Sequence, residues 1–331
     1  MKFLRRLLLL LVVLAVAAGA AAAWWLNRPL ALATPSVELS IEAGNTPREI
    51  ARDWVAAGVQ APAWLLYEWF RWSGDARRIR AGSYQVGTGA TPRQLLAKMV
   101  QGDEAYERVR LIEGWTFRQF RAALAQAPHL KAASAGMSDA QLMAALGHPG
   151  VAPEGRFFPD TYIYSRGVSD VTVLRRAFSA MQQRLGAVWA ERAAGLPLKT
   201  ADEALVLASI VEKETGRGED RARIAGVFVN RLRIGMPLQT DPSVIYGLGD
   251  NFDGNLRKRD LQADHPFNTY LRAGLPPTPI AMPGLAALRA TVQPEGGKAL
   301  YFVARGDGSS VFSDDLAAHN RAVNEYQRKS R

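Results

Sequence analysis

The 331-residue chain contains no cysteine. Disulfides and thiolate metal sites are therefore excluded. Their absence does not fix the compartment, because an oxidising space permits disulfides without requiring them. Histidine is scarce as well. The four residues, His129, His148, His265 and His319, show no metal-ligand spacing. No glycine-rich phosphate loop of the P-loop type occurs, and no nucleic-acid motif. The expectation is no metal, no cofactor and no nucleic-acid partner. Acidic residues are in deficit: 41 Lys and Arg against 31 Asp and Glu leave a net charge of +10. A basic surface favours acidic partners such as anionic lipid or an acidic polymer.

Of what is present, the first segment says most. Lys2, Arg5 and Arg6 precede an uncharged run over residues 7–26. Twenty helical residues at about 1.5 Å each span the roughly 30 Å hydrocarbon core of a bilayer. Trp24 and Trp25 close the run where an aromatic belt sits, and positive charge lies on its N-terminal side. This predicts a single-pass anchor with the N-terminus in the cytoplasm and everything after Arg28 outside. A cleaved signal peptide is the competing reading, since residues 20–23 are all alanine. The length of the run favours the anchor. The rest of the chain, within an overall composition of 48% hydrophobic and 22% charged residues, can bury about two domains.

Residues 28–36 hold Pro29, Pro35 and short polar residues, and read as a linker. A pattern then recurs. Thr46-Pro47-Arg48-Glu49, Thr91-Pro92-Arg93-Gln94 and Thr116-Phe117-Arg118-Gln119 each place Glu or Gln three residues after Thr, just before an apolar stretch. Each reads as a capping box opening a helix. Residues 37–41 and 109–112 alternate like strands before Gly turns. Strand, turn and Thr-capped helix resemble a small LysM-like module, a fold that often binds glycan, over residues 37–108. Helical periodicity returns at 139–146 and 171–185. Residues 153–162 form a loop or short strand. Residues 235–283 are rich in Gly, Pro, Asn and Asp, and long irregular segments of this kind are often functional. Residues 299–303 and 310–313 read as a strand pair about the Gly306-Asp307-Gly308 turn, followed by a terminal helix from about Asp315.

Thr200-Ala201-Asp202-Glu203 is another capping box, opening a strong helix that Gly216 stops. At about 100° per residue, Glu214 shares its face with Leu207, Ile210 and Val211, while Glu212 lies roughly opposite, nearer to solvent. An apolar setting raises a carboxyl pKa, and the negative end of the helix acts the same way. A glutamate held protonated near neutral pH can donate to a leaving oxygen. The spacing alone also allows a glutamate paired with an arginine at a helix end.

The run Ala208-Ser209-Ile210-Val211-Glu212-Lys213-Glu214-Thr215 resembles the catalytic helix of the endolytic murein transglycosylases (MltG, YceG-like). The resemblance continues through Val227-Phe228-Val229-Asn230-Arg231-Leu232 and Leu238-Gln239-Thr240-Asp241-Pro242-Ser243-Val244-Ile245-Tyr246-Gly247. It extends to Asn268-Thr269-Tyr270, Gly274-Leu275-Pro276-Pro277 and Ile280-Ala281-Met282-Pro283-Gly284, and closes with Tyr301-Phe302-Val303 and His319-Asn320. The loop with Glu154, Phe158, Pro159 and Asp160 fits too. Residues 132–150 match less closely.

The resemblance implies an α+β fold: residues 1–27 as cytoplasmic tip and transmembrane helix, the LysM-like module, and a YceG-like catalytic domain over 109–331. It implies a lyase that cuts the MurNAc-GlcNAc bond of nascent peptidoglycan strands, leaving a 1,6-anhydro end, with Glu214 as acid and then base. Peptidoglycan synthases (penicillin-binding proteins) are the implied protein partners in cell wall biogenesis. Gln239, Asn230 and Asn268 are candidate hydrogen-bonding partners of the sugar, Tyr246 and Tyr270 candidate stacking platforms, and Asp241 and Glu154 further substrate-binding candidates. Two other readings stay open: a hydrolytic muramidase with Asp241 or Asp264 as a second carboxylate, and a non-catalytic peptidoglycan-binding scaffold recruiting synthases.

Overall fold

The computed structural model describes residues 2–328. It is a mixed α+β structure with one long apolar helix at the N-terminus. The chain divides into two compact units, Met1–Glu107 with Ile163–Val168, and Arg108–Tyr162 with Ser169–Arg331.

The first unit begins with α1 (Lys2–Leu26), whose most apolar 18-residue stretch has a mean hydropathy of 2.6 and no burial against the chain. Length and composition suit a single-pass anchor or a signal sequence. β1 (Ala31–Leu32), β2 (Ser36–Ile41), α2 (Pro47–Ala57), β3 (Val59–Gln60), α3 (Ala63–Trp72), β4 (Gly82–Gly87) and α4 (Pro92–Gln101) follow. β2 pairs antiparallel with β4, Val37 opposite Val86 and Ile41 opposite Gly82. Alternate residues of β2 point into a core of Trp54, Leu66, Phe70, Tyr84, Leu95 and Met99. Each such side chain, removed from water, stabilises the fold by roughly 1.5–3 kcal/mol. Thr46 and Thr91 form the expected capping boxes, with Pro at the first helical position.

The expected linker at 28–36 is corrected. Leu30 is buried, and its amide donates to the Ala90 carbonyl at 2.8 Å. Ala31 and Leu32 pair with Gln60 and Val59. The stretch is short, but Leu30 and Leu32 are apolar enough to be drawn onto the core, and the prolines only set its path.

The chain leaves this unit in β5 (Tyr106–Arg110). α5 (Phe117–Ala125) and α6 (Asp139–Ala145) follow, each opened by a capping box, at Thr116 and Ser138. β6 (Thr161–Ser165) pairs with β5 and briefly returns to the first unit, where Arg166 forms ion pairs with Glu38 and, at 2.8 Å, with Glu107. The second unit continues with α7 (Asp170–Ala190), α8 (Ala201–Glu214), α9 (Gly218–Arg233), α10 (Asp241–Leu248), α11 (Lys258–Gln262) and α12 (Leu285–Val292). β7 (Tyr301–Ala304) and β8 (Ser310–Ser313) form the expected antiparallel pair, and α13 (Leu316–Val323) starts at the Asp315 cap. Helices α7, α9, α10 and α12 all pack on α8, which is the axis of the unit.

Candidate active site

The site is built at the C-terminal end of α8. Thr200 caps its start, accepting from the Glu203 amide at 3.1 Å. The Glu203 carboxylate bonds the Lys199 amide at 2.5 Å rather than that of Thr200, so the expected reciprocal box is displaced by one residue. Residues 204–211 are all buried. An α-helix buried this completely needs a polar anchor for whatever lies along it. Ser209 Oγ accepts from the Ile280 amide at 3.0 Å, and Glu212 Oε2 accepts from the Gly284 amide at 2.9 Å. These two bonds lay the run 280–284 along α8, and Ile280, Ala281 and Met282 complete its apolar jacket.

Glu212 therefore does not face solvent. Its side chain is only 7% exposed, with the Arg221 guanidinium 3.9 Å away. Burial raises its pKa against the Gly284 hydrogen bond. The helical-wheel expectation fails because neighbours enclose α8 on nearly every side.

Glu214 is the last residue of α8, and Thr215 turns extended (φ −148°, ψ 134°) to end the helix. Glu214 is half-buried. Its Oε1 accepts from the Thr240 hydroxyl at 2.5 Å. Burial pushes its pKa up to about 7, the Asp241 charge acts in the same direction, and the Thr240 hydrogen bond and the Arg231 charge oppose. The carboxyl is poised to hold or release a proton near neutral pH.

Thr240 is presented by a loop held from both sides. Its amide donates to Thr269 Oγ1 at 3.0 Å, and Ser243 Oγ lies 2.9 Å from the same hydroxyl and from the Thr240 carbonyl. Arg231, almost fully buried, reaches the loop from α9. Its guanidinium donates to Leu300 O at 2.7 Å, Leu238 O at 2.9 Å and Gln239 Oε1 at 3.2 Å. Gln239 sits at φ +51°, a left-handed conformation rare for a side-chain-bearing residue. Such conformations persist where surrounding contacts over-determine them. Here the contacts are its amide bond to Thr269 O at 3.0 Å and the Arg231 fork.

Asp241 opens α10 and accepts from the Tyr270 hydroxyl at 2.5 Å. Both the burial of Tyr270 and its bond to Asp241 raise the phenol pKa. Farther along α10, Tyr246 donates to Glu154 Oε2 at 3.1 Å. Glu154 also accepts from the Phe117 amide at the start of α5, at 3.0 Å. Burial pushes its pKa up to about 7 although these bonds favour the ionised form. Glu154 is thus a second raised carboxyl, but one occupied in capping a helix.

Of the expected site residues, Glu214, Gln239, Asp241 and Tyr270 come together with Arg231. Tyr246 and Glu154 are tied to them through α10. Asn230 and Asn268 are engaged elsewhere. The Asn230 amide donates to Gly297 O and Ala299 O, and that of Asn268 to Leu261 O and Ala263 O, which commits both amide protons of each to main-chain carbonyls. Sequence reasoning missed Thr240, Ser243, Thr269 and Arg231 as site residues. Their only signal was membership of the same motifs. Among the described residues no group of three or more His, Cys, Asp or Glu side chains is placed to hold a metal ion.

An endolytic murein transglycosylase of Bacillus subtilis (strain 168) is 45% identical over 122 residues, which is 37% of this chain and 34% of that protein. One of Streptococcus pneumoniae serotype 2 (strain D39) is 34% identical over 179 residues, 52% of this chain and 32% of that protein. The chain spans about a third of the length of the curated relatives it matches. A YceG-like protein of Listeria monocytogenes, solved as a crystal structure, is 27% identical with a TM-score of 0.55, over 87% of this chain and 98% of that one. The YceG-like family profile matches residues 39–325. With that match over most of its length, the chain belongs to the YceG-like family.

Proposed function

We propose that this protein is an endolytic peptidoglycan lytic transglycosylase with Glu214 as its single acid–base catalyst. The observation that carries the reading is the Glu214 carboxyl, raised to about 7 at a half-buried helix end and fixed by Thr240. Protonated Glu214 donates to the glycosidic oxygen as its bond to C1 of N-acetylmuramic acid breaks. The sugar's own N-acetyl group stabilises the positive centre. Ionised Glu214 then takes the proton from the C6 hydroxyl as that oxygen bonds C1, closing the 1,6-anhydro ring and restoring the acid. The attacking hydroxyl is tethered, so its effective concentration is large and no water nucleophile is needed. Gln239, Asp241 and Tyr270, which gather near Glu214, are the substrate-binding residues of this reading. The named relatives support the substrate class.

In the same reading α1 is a retained anchor in the inner membrane, N-terminus cytoplasmic, with the body periplasmic and beside peptidoglycan synthases. The paired strands β2 and β4 enclosing α2 and α3, with the two-residue β3 between the helices, support a LysM-like glycan-binding module. A hydrolytic muramidase is the second reading, and the closeness of Asp241 to Glu214 favours it as far as a second carboxylate is required.

The products decide. The full chain in detergent is incubated with purified peptidoglycan beside Glu214→Gln, and fragments are weighed by mass spectrometry. Anhydro ends from the native chain and none from the variant are expected. Reducing ends would replace the lyase by the hydrolase, and equal cutting by both proteins would remove Glu214 from the chemistry.

A further inference from the structure

The end of α1 is continuous with the folded body. Leu26, the last helical residue, is 8% exposed, and Trp25 packs against the first unit's core. Four residues on, Leu30 is buried in the same core and bonded to Ala90, just before α4. α1 also contacts α4 directly. A helix of this length and hydropathy, once in a bilayer, ends at the headgroups. With no slack after it, the surface of the first unit around the start of α4 must lie at the headgroups as well.

That surface has the chemistry of a membrane interface. Trp69 of α3 donates from its indole to the Pro92 carbonyl at 3.1 Å, and Arg93 lies over its ring. Trp69 is half-buried at the edge of the core, and Trp72, one turn further along α3, lies on the side turned from Leu66 and Phe70. Trp72 is 77% exposed and carries Arg71 over its ring. At the end of α1, Arg28 stacks on exposed Trp24 in the same manner. An exposed tryptophan in water leaves a large apolar ring hydrated, whereas at a bilayer surface the ring enters the interface and the arginine meets phosphate. Glu68, beside Trp72, accepts from the Trp72 indole at 3.0 Å and from Arg71 at 3.4 Å, an exposed pair that leaves the Arg71 guanidinium open to a lipid phosphate.

We propose that the first unit docks on the bilayer through α3 and the start of α4, with Trp69 and Trp72 in the headgroup layer and Arg71 and Arg93 on anionic lipid. This rests on the reading of α1 as a retained anchor. Docking would hold the unit in one orientation on the membrane rather than let it swing.

The absence of cysteine makes the test direct. Trp72→Cys and, separately, Trp24→Cys are labelled with an environment-sensitive fluorophore in the full chain. Each is reconstituted in phosphatidylethanolamine–phosphatidylglycerol vesicles containing lipid spin-labelled near the headgroup. Loss of emission is expected at both positions. Adding Arg71→Glu and Arg93→Glu to the Trp72→Cys chain restores its emission, while the same pair leaves the Trp24 probe quenched. Quenching at position 24 with none at position 72 overturns the docking and leaves the anchor standing. No quenching at either position removes the anchor, and the docking with it.

Discussion

The Thr240 hydroxyl donates to Glu214 Oε1 at 2.5 Å across 26 residues of chain. That one bond joins the end of α8 to the start of α10. It stabilises the ionised carboxylate, while burial and Asp241 favour the protonated form. A carboxyl balanced near 7 can both give and take a proton at neutral pH, as the proposed reaction requires.

Thr240→Val removes the bond and keeps the shape. The hydroxyl lowers the Glu214 pKa, so its loss raises it further. The alkaline limb of the rate profile, set by loss of the acid's proton, is expected to move to higher pH. At pH 7 the rate is expected to fall on the order of tenfold, the value of one hydrogen bond to a charged group. Thr240→Ser should restore both. Rate–pH profiles of the three proteins on purified glycan strands check this, and an unmoved limb in the valine variant would show that Thr240 does not tune the acid.

What the sequence made legible was local. The boxes at Thr46, Thr91 and Thr116 depend on residues three apart, and all three form. The raised carboxyl of Glu214 was legible because an apolar helix face and a helix end coincide there. Burial of Glu212 was not, because it depends on the run 280–284 being laid over α8 from 72 residues away. Thr240 escaped for the same reason: nothing near it in sequence shows that a carboxyl waits on its hydroxyl. The fate of residues 28–36 turned on two leucines meeting a core assembled from residues 37–99. Asn230 and Asn268 looked like sugar ligands because a polar side chain in a motif carries no sign of which carbonyls it will find.

Two glycines separate backbone strain from steric contact. Gly155 has φ +77°, and a Cβ there would meet the ring of Pro279 at 2.4 Å, a rigid neighbour. Gly136 has φ +80° with open space around it. Gly136→Ala is expected to cost about 1 kcal/mol, the strain alone. Gly155→Ala adds overpacking and is expected to cost about 3 kcal/mol or more. Denaturant midpoints of the two variants against the native chain read the difference, and equal losses would mean that the Pro279 contact relaxes freely.

Glu214 also shapes stability. In the unfolded chain its pKa is the ordinary value near 4.5, and in the folded chain it is about 7. Between these values the native state holds a proton that the unfolded state has released. The slope of unfolding free energy with pH follows the proton count of the unfolded state minus that of the native state, which is negative here. Stability is therefore lost as pH rises from about 4.5 to about 7, and the loss is complete above. Glu154, raised to the same value, contributes a loss over the same window. Glu214→Gln removes only the first contribution, and its amide oxygen can still accept from Thr240. The variant and the native chain are expected to be nearly equal in stability at pH 4.5. At pH 8 the variant is expected to be more stable by on the order of 2–3 kcal/mol. The difference between the two proteins cancels the Glu154 contribution, which both share. Urea unfolding of each at several pH values gives the two curves. Parallel curves would place the Glu214 carboxyl at an ordinary pKa and take away the physical basis of its role as the acid.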